Sequence, residues 1–224
     1  MKDRILVILP TMNRSGLFDI WAQSWLATTE GLSDVVVAVD EGDMAYEDLK
    51  VKYPQFIWET LPPAKPLVQL NRMALKYSDE YRWLGFMEDD CVYRATDWES
   101  TFVTKLNEMG HNGIVYPSDT LNHGPSLITV SLPVMDSSIV KRLGFMSPPG
   151  LQCVFPDNFW TVLARDLGMN GFLQHILIRH DHYSTGRSAE DETARAQSPF
   201  FPLDQNRYHE YMLADYNTDL AKLL

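Results

Sequence analysis

Residues 82–90 read RWLGFMEDD, an apolar run that gives way abruptly to three acids. A short apolar segment of this kind reads as a buried strand, and its sudden polar end as the point where the chain leaves the core. The same pattern occurs twice upstream. Residues 5–9 (ILVIL) run through Pro10, which stops the strand, into TMNRSG, and residues 35–39 (VVVAV) run into Asp40-Glu41-Gly42-Asp43. Between the strands lie segments with helical periodicity. Residues 17–28 place Leu17, Ile20, Trp21 and Trp25 on one face, with Ser15 as cap and Gly31 as stop. A short helix is expected over 44–52 and a strand over 55–59. Residues 67–78 repeat at Leu67, Leu70, Ala74 and Tyr77, after the Pro-rich loop LPPAKP. Strands alternating with helices predict an α/β fold with a mostly parallel central sheet flanked by helices. Ligands of such sheets bind beyond the carboxyl ends of the strands. There this chain carries Thr11, Asn13, Arg14, Asp40, Glu88, Asp89 and Asp90.

Beyond residue 95 the pattern changes. It predicts a helix over 97–109, strands near 113–117 and 126–135, and a helix from Asp136 to Leu143. A Gly- and Pro-rich loop follows (GFMSPPGLQCVFPDN, 144–158), then a helix over 158–168 and a strand over 172–179 that ends at His180-Asp181-His182. The polar tail has helical pattern over 204–222. No internal repeat is present.

Composition narrows the function. With 224 residues, 45% of them hydrophobic, the chain can bury a core. Nineteen basic against thirty acidic residues give a formal charge of −11, which opposes a phosphate backbone and argues against broad DNA binding. Cys91 and Cys153 form no zinc-type spacing and read as reduced thiols of a cytoplasmic protein. The apolar run in MKDRILVILPTMNR is too short for a signal sequence, and no segment is long and apolar enough for a membrane span.

Three clusters have chemical potential. An isolated EDD is ordinarily a solvated turn. Here it follows a buried strand, and carboxylates two apart can approach one Mg²⁺ or Mn²⁺ ion, which prefers oxygen ligands and keeps positions for phosphate. His180 and His182, on an extended segment, point to the same side and suit a transition ion; two imidazoles alone make no site, so they are expected to complete one begun elsewhere. Asp157 has two readings, a helix N-cap or a general base for an acceptor hydroxyl. The chain has no GxxxxGK[ST] loop, no GxGxxG after the first strand and no GxSxG elbow.

Taken in order, these segments resemble family 2-like glycosyltransferases with the GT-A fold. ILVILPTMNR is similar to their opening strand and loop, where P-[ST]-x-N-R is common, and VVVAVDEGD to the second strand. LNRMALKYSDEYRWLGFMEDD resembles the stretch from the nucleotide-binding helix to the DxD motif. PPGLQCVFPDNFW is similar to the acceptor-side loop and helix. IRHDHYSTGRSAEDE is similar to a metal-histidine segment of small members, including bacteriophage-encoded ones. The resemblance spans residues 4 to about 192. It implies one catalytic domain, with a nucleotide-binding half (1–95), an acceptor half (96–182) and a tail (183–224). It implies that Pro10, Thr11, Asn13, Arg14, Asp40, Asn71, Arg72, Glu88 and Asp89 meet the nucleotide sugar. Asp90, Glu88 and His182 or His180 would hold Mn²⁺ or Mg²⁺, and Asp157 would activate the acceptor. Two departures stand out: Glu occupies the first DxD position, which leaves ribose contact to Asp89, and PDN replaces the usual ED pair around residue 157.

The expected activity is metal-dependent transfer of a sugar from a nucleotide diphosphate, with a UDP-sugar favoured, to a hydroxyl of a glycan, protein or modified nucleobase. Direct attack assisted by Asp157 inverts the anomeric centre; if Asp157 only caps a helix, retention stays open. The rival readings are a nucleotidyltransferase that makes the nucleotide sugar and an inactive module that binds a glycan or partner.

Overall fold

A computed structural model describes residues 1–121 and 129–224. The first half follows the sequence pattern closely. It comprises β1 (Lys2–Pro10), α1 (Ser15–Thr28), β2 (Ser33–Asp40), a 3-10 turn leading into α2 (Glu47–Lys52), β3 (Ile57–Leu61), α3 (Pro66–Tyr77) and β4 (Tyr81–Phe86). A short β5 (Cys91–Tyr93) follows, then α4 (Trp98–Met109), β6 (Ile114–Asp119), β7 (Val134–Asp136) and α5 (Ser137–Leu143). The chain continues with α6 (Pro156–Asp166), β8 (Asn170–His180), α7 (Glu192–Gln197), α8 (Phe200–Ala214) and α9 (Tyr216–Ala221).

The strands form one sheet in the order β3-β2-β1-β4-β7-β6-β8-β5. β3, β2, β1 and β4 are parallel to one another, as are β6 and β8; β7 and β5 run against their neighbours. The mostly parallel sheet is therefore as expected. Alternation along β1 divides the apolar residues between two cores. Leu6 and Ile8 pack with α3, α5 and α6 on one face; Ile5, Val7 and Leu9 pack with α1 and α4 on the other. Continuous apolar strands arise because both faces are covered. Gly171 serves close approach: a Cβ there would stand 2.7 Å from Val115 Cγ2.

Several details differ from the sequence pattern. The buried stripe of α1 is Phe18, Trp21, Ala22 and Trp25, while Ile20 is 51% exposed and Leu17 only half-buried. Phe18 decides the rotation: its ring meets Trp21, Tyr46, Tyr53, Phe56 and Trp58. Ser15 is the first helical residue rather than a cap, and Arg14 precedes it without a side-chain cap. Of the strand expected near 126–135, only the end is strand, as β7 (Val134–Asp136); residues 129–133 are irregular, and 126–128 lie outside the described residues. β5 was not anticipated, since three residues carry no readable period.

A buried carboxylate joins α4 to the entry of β2. Glu99 is fully buried and accepts the hydroxyls of Thr29 and Ser33 and the backbone N–H groups of Glu30 (2.6 Å) and Leu32 (2.9 Å).

Candidate active site

β4 ends at Phe86, and Glu88-Asp89-Asp90 turns the chain into β5. β5 then runs antiparallel along β8, with Cys91 opposite His180. The N–H of Asp181 donates to the carbonyl of Asp90 at 2.8 Å. This pairing brings the acidic turn against the end of β8, although the two are far apart in sequence.

His180 is buried at the centre of three carboxylates. Its Nε2 lies 3.1 Å from both Glu88 Oε2 and Asp90 Oδ1, and its Nδ1 lies 3.1 Å from Asp119 Oδ2. Burial opposes a charge on the ring, but the carboxylates of Asp119, Asp90 and Glu88 outweigh it and raise the His180 pKa. Asp90 remains below the usual carboxylate range: burial raises its pKa, and His180 and Arg14 more than compensate. Asp119 was missed by sequence reasoning. Its signal was present, because IVYPSD is another strand that ends in an acid.

Asp89, which shares Arg14 with Asp90, has other partners. Its Oδ2 accepts the Thr11 hydroxyl (2.6 Å) and its Oδ1 accepts Arg14 (3.1 Å). Tyr46 completes the arrangement: its hydroxyl lies 2.6 Å from Thr11 Oγ1 and accepts the Arg14 N–H at 3.0 Å. Burial pushes the Asp89 carboxyl up to about 6, against the pull of Arg14. Both carboxylate oxygens of Asp89, the residue expected to contact ribose, thus have protein partners, and Asp89 also lines the adjoining cavity. Arg14 is similarly engaged. Its Nε and Nη2 grip Asp191 at 2.8 and 3.1 Å, and Asp191 also caps α7 through the Ala194 N–H. This paired geometry enclosed by carboxylates suits a guanidinium.

These elements surround a cavity of about 310 Å³. Pro10, Thr11, Arg14, Glu88, Asp90, His180 and His182 line it, and so do Asp157 and the apolar Leu132, Phe155 and Trp160. The tail contributes Thr193, Gln197 and Phe201. His182 lies just past the strand, where its Nδ1 meets Ser184 Oγ at 2.8 Å, and its ring centroid stands 5.7 Å from that of His180. Asp157 is the second residue of α6, after Phe155 and Pro156; the cap position belongs to Phe155, at φ +73°. Asp157 thus stands in the first turn of the helix and not at the cap, and its own N–H and that of Asn158 favour its charged form. Burial, reinforced by Glu88, pushes its carboxyl up to about 6.

Other expected contacts lie elsewhere. Asn71 is a strut: its amide donates to the carbonyl of Ser147 at 2.8 Å and accepts the N–H groups of Met146 and Ser147 at 2.9 Å. Arg72 donates to the carbonyl of Pro62 (2.9 Å) and to Gln69 (3.1 Å). Both, expected at the nucleotide, brace α3 in this structure, and neither is among the described cavity-lining residues. Asp40 Oδ1 accepts Gln69 at 2.8 Å, and exposed Asn13 (φ +54°) directs its N–H to Asp43; neither is among the described cavity-lining residues.

The residues fit a divalent cation. Asp90 Oδ1 and His180 Nε2 are buried and lack a well-directed hydrogen-bond partner, yet they converge with Glu88. The Asp119–His180 contact orients the ring so that Nε2 faces the carboxylates, an arrangement common behind metal-ligating histidines. Cys91 belongs to the same cluster, but burial raises its thiol well above the usual range, which makes it a poor ligand. Oxygen and imidazole donors suit Mn²⁺ or Mg²⁺.

No protein-family model and no curated protein match the chain. Solved structures do. S. aureus TarS 1–349 in complex with UDP superposes with a TM-score of 0.63 at 16% identity, covering 79% of this chain and 60% of that one. Mycobacterium tuberculosis glucosyl-3-phosphoglycerate synthase, in complex with Mn²⁺, UDP-glucose and phosphoglyceric acid, gives 0.59 at 14%, covering 80% and 72%. A putative nucleotide-diphospho-sugar transferase from Desulfovibrio desulfuricans gives 0.54 at 12%, covering 92% and 98%. The chain therefore spans less than two thirds of TarS 1–349. No helix among the described residues is long and apolar enough to cross a membrane. The strand order, the acidic turn after β4 and these superpositions together give the chain the GT-A fold of nucleotide-diphospho-sugar transferases.

Proposed function

We propose that the protein is a metal-dependent glycosyltransferase that uses a nucleotide-diphosphate sugar, with UDP-sugars favoured. The observation that carries this reading is the convergence of Glu88, Asp90 and His180 Nε2 in one cavity with Asp157. Residues 1–95 supply the donor side, and residues 96–182 supply Asp119, Asp157 and the histidines.

Glu88, Asp90 and His180, with His182 adjoining, would hold Mn²⁺ or Mg²⁺. When bound, such an ion neutralises charge on the departing diphosphate as a Lewis acid. Loading requires neutral Nε2, so metal competes with the proton that the carboxylates favour there. Arg14 keeps Asp89 and Asp90 placed rather than meeting phosphate. Asp157 accepts the proton of an acceptor hydroxyl as its oxygen attacks the anomeric carbon, which inverts configuration. Its raised pKa keeps it a better base than an exposed carboxylate. A nucleotidyltransferase fits less well, because Thr11 and Arg14 of the first loop are engaged internally.

The test is metal-dependent release of UDP from UDP-glucose or UDP-N-acetylglucosamine, with water as acceptor of last resort. We expect the rate to rise with pH through about 6 as Asp157 loses its proton. Asp157→Asn should lower it about 100-fold and remove that limb of the profile. An unchanged profile in Asp157→Asn would remove the base role; retained anomeric configuration in the product would do the same. A second expectation concerns Asp119→Asn. Loss of the anionic partner of Nδ1 should weaken Mn²⁺ affinity about 10- to 100-fold in a calorimetric titration with UDP present. Affinity within twofold of wild type would show that Asp119 does not orient the ring.

A further inference from the structure

One carboxylate of the tail has no part in the site described so far. Asp204, on α8, is fully buried. Its Oδ2 accepts three consecutive backbone N–H groups, those of Gln152 (3.0 Å), Cys153 (2.8 Å) and Val154 (3.1 Å). The neighbouring Arg207 donates to the carbonyl of Gly150 at 2.9 Å. On the same face of α8, Phe201 and Tyr208 hold the ring of Phe155, with centroids 5.1 and 5.7 Å away. Residues 201, 204 and 208 recur at helical spacing, so a single helix face grips residues 150–155 throughout.

That loop leads directly to Asp157. Phe155 sits in the left-handed region at φ +73°, which a bulky side chain rarely adopts. Pro156 then starts α6 and Asp157 follows in its first turn. A conformation of this kind persists where surrounding contacts over-determine it. Here those contacts come from α8, through Asp204, Phe201 and Tyr208, and from α3, whose Leu67 N–H donates to the carbonyl of Gln152 at 3.0 Å.

We propose that Asp204 is a positioning residue for the acceptor side of the site: by fixing the N–H groups of residues 152–154 it sets the Phe155–Pro156 turn and thereby the placement of the Asp157 carboxyl. This rests on the glycosyltransferase reading, in which Asp157 is the base. Asp204 is not among the described cavity-lining residues, so donor binding should not depend on it.

The test is a double-mutant cycle on UDP release from UDP-glucose with Mn²⁺, using wild type, Asp204→Asn, Asp157→Asn and the double variant. Asp204→Asn should slow release about 10-fold, in keeping with the cost of a small misplacement, while Mn²⁺-dependent UDP affinity stays within twofold. Amide exchange of residues 152–154 should accelerate in Asp204→Asn. In the Asp157→Asn background, the Asp204 substitution should have almost no further effect on release, because both act through one group. Effects that multiply, or unchanged exchange at 152–154, overturn the positioning role. If Asp204→Asn does not fold, Arg207→Ala loosens the same loop at Gly150 and should show the same non-additivity; multiplying effects there count against the proposal equally. A wild type that binds UDP with Mn²⁺ but shows multiplicative effects refutes only this inference. A wild type that neither binds nor releases UDP overturns the glycosyltransferase reading, and the positioning role with it.

Discussion

Asp90→Asn is expected to lower metal-dependent UDP release about 10³-fold, the rate equivalent of roughly 4 kcal/mol. Asp90 is buried, carries an oxygen without a well-directed partner, and stands 3.1 Å from His180 Nε2. The amide keeps the shape and removes the anionic ligand. The same change should abolish the rise in melting temperature that UDP and Mn²⁺ together produce, since a ligand stabilises only the state that binds it. The variant loses the pairing of the Asp90 carboxylate with His180 and Arg14, so its unliganded melting temperature should fall, while the amide's matching shape keeps the fold. A Mn²⁺- and UDP-dependent shift as large in Asp90→Asn as in wild type would sink the metal site.

The second large effect concerns stability alone. Glu99→Ala should cost about 3–5 kcal/mol, the range found when one partner of a buried ionic or hydrogen-bonded group is removed. It would strand two hydroxyls and two backbone N–H groups around the turn between α1 and β2. For a chain of this length that corresponds to a fall in melting temperature of roughly 10 °C. Glu99→Gln keeps one carbonyl acceptor and should cost less. UDP affinity of the folded fraction should be unaffected, because Glu99 is not among the described cavity-lining residues. Urea unfolding curves for the three proteins decide the matter. An alanine variant within 1 kcal/mol of wild type would mean that water replaces the carboxylate.

The strands and the acidic turn were legible because their signals are local. An apolar run covered on both faces and ended by charge is readable from a few neighbouring residues, and RWLGFMEDD is such a case. Asp119 obeys the same rule but was overlooked, since a single acid after PS attracts less notice than three. What could not be read depended on tertiary partners. Leu17 and Ile20 compete with Phe18 and Ala22 for the same helix, and only the aromatic cluster around Phe18 chooses between them. The Asn71 amide could equally serve a ligand or a loop; the carbonyl and N–H groups at residues 146–147 claim it. Asp204 and Asp191 lie in a tail whose polar composition hides two buried or half-buried carboxylates with specific duties.

The grip of Arg14 on Asp191 has a consequence for how the molecule comes into being. The two residues are separated by 177 positions, and the cavity wall formed by Thr193, Gln197 and Phe201 is made later still. During synthesis the sheet around β1, β2 and β4 can assemble early, whereas closure across so long a loop must wait for residues 191–201 to be made. A nascent chain arrested near residue 190 would thus carry the acidic turn, His180 and Arg14 without the Asp191 carboxylate that grips Arg14 and without the cavity wall from residues 193–201.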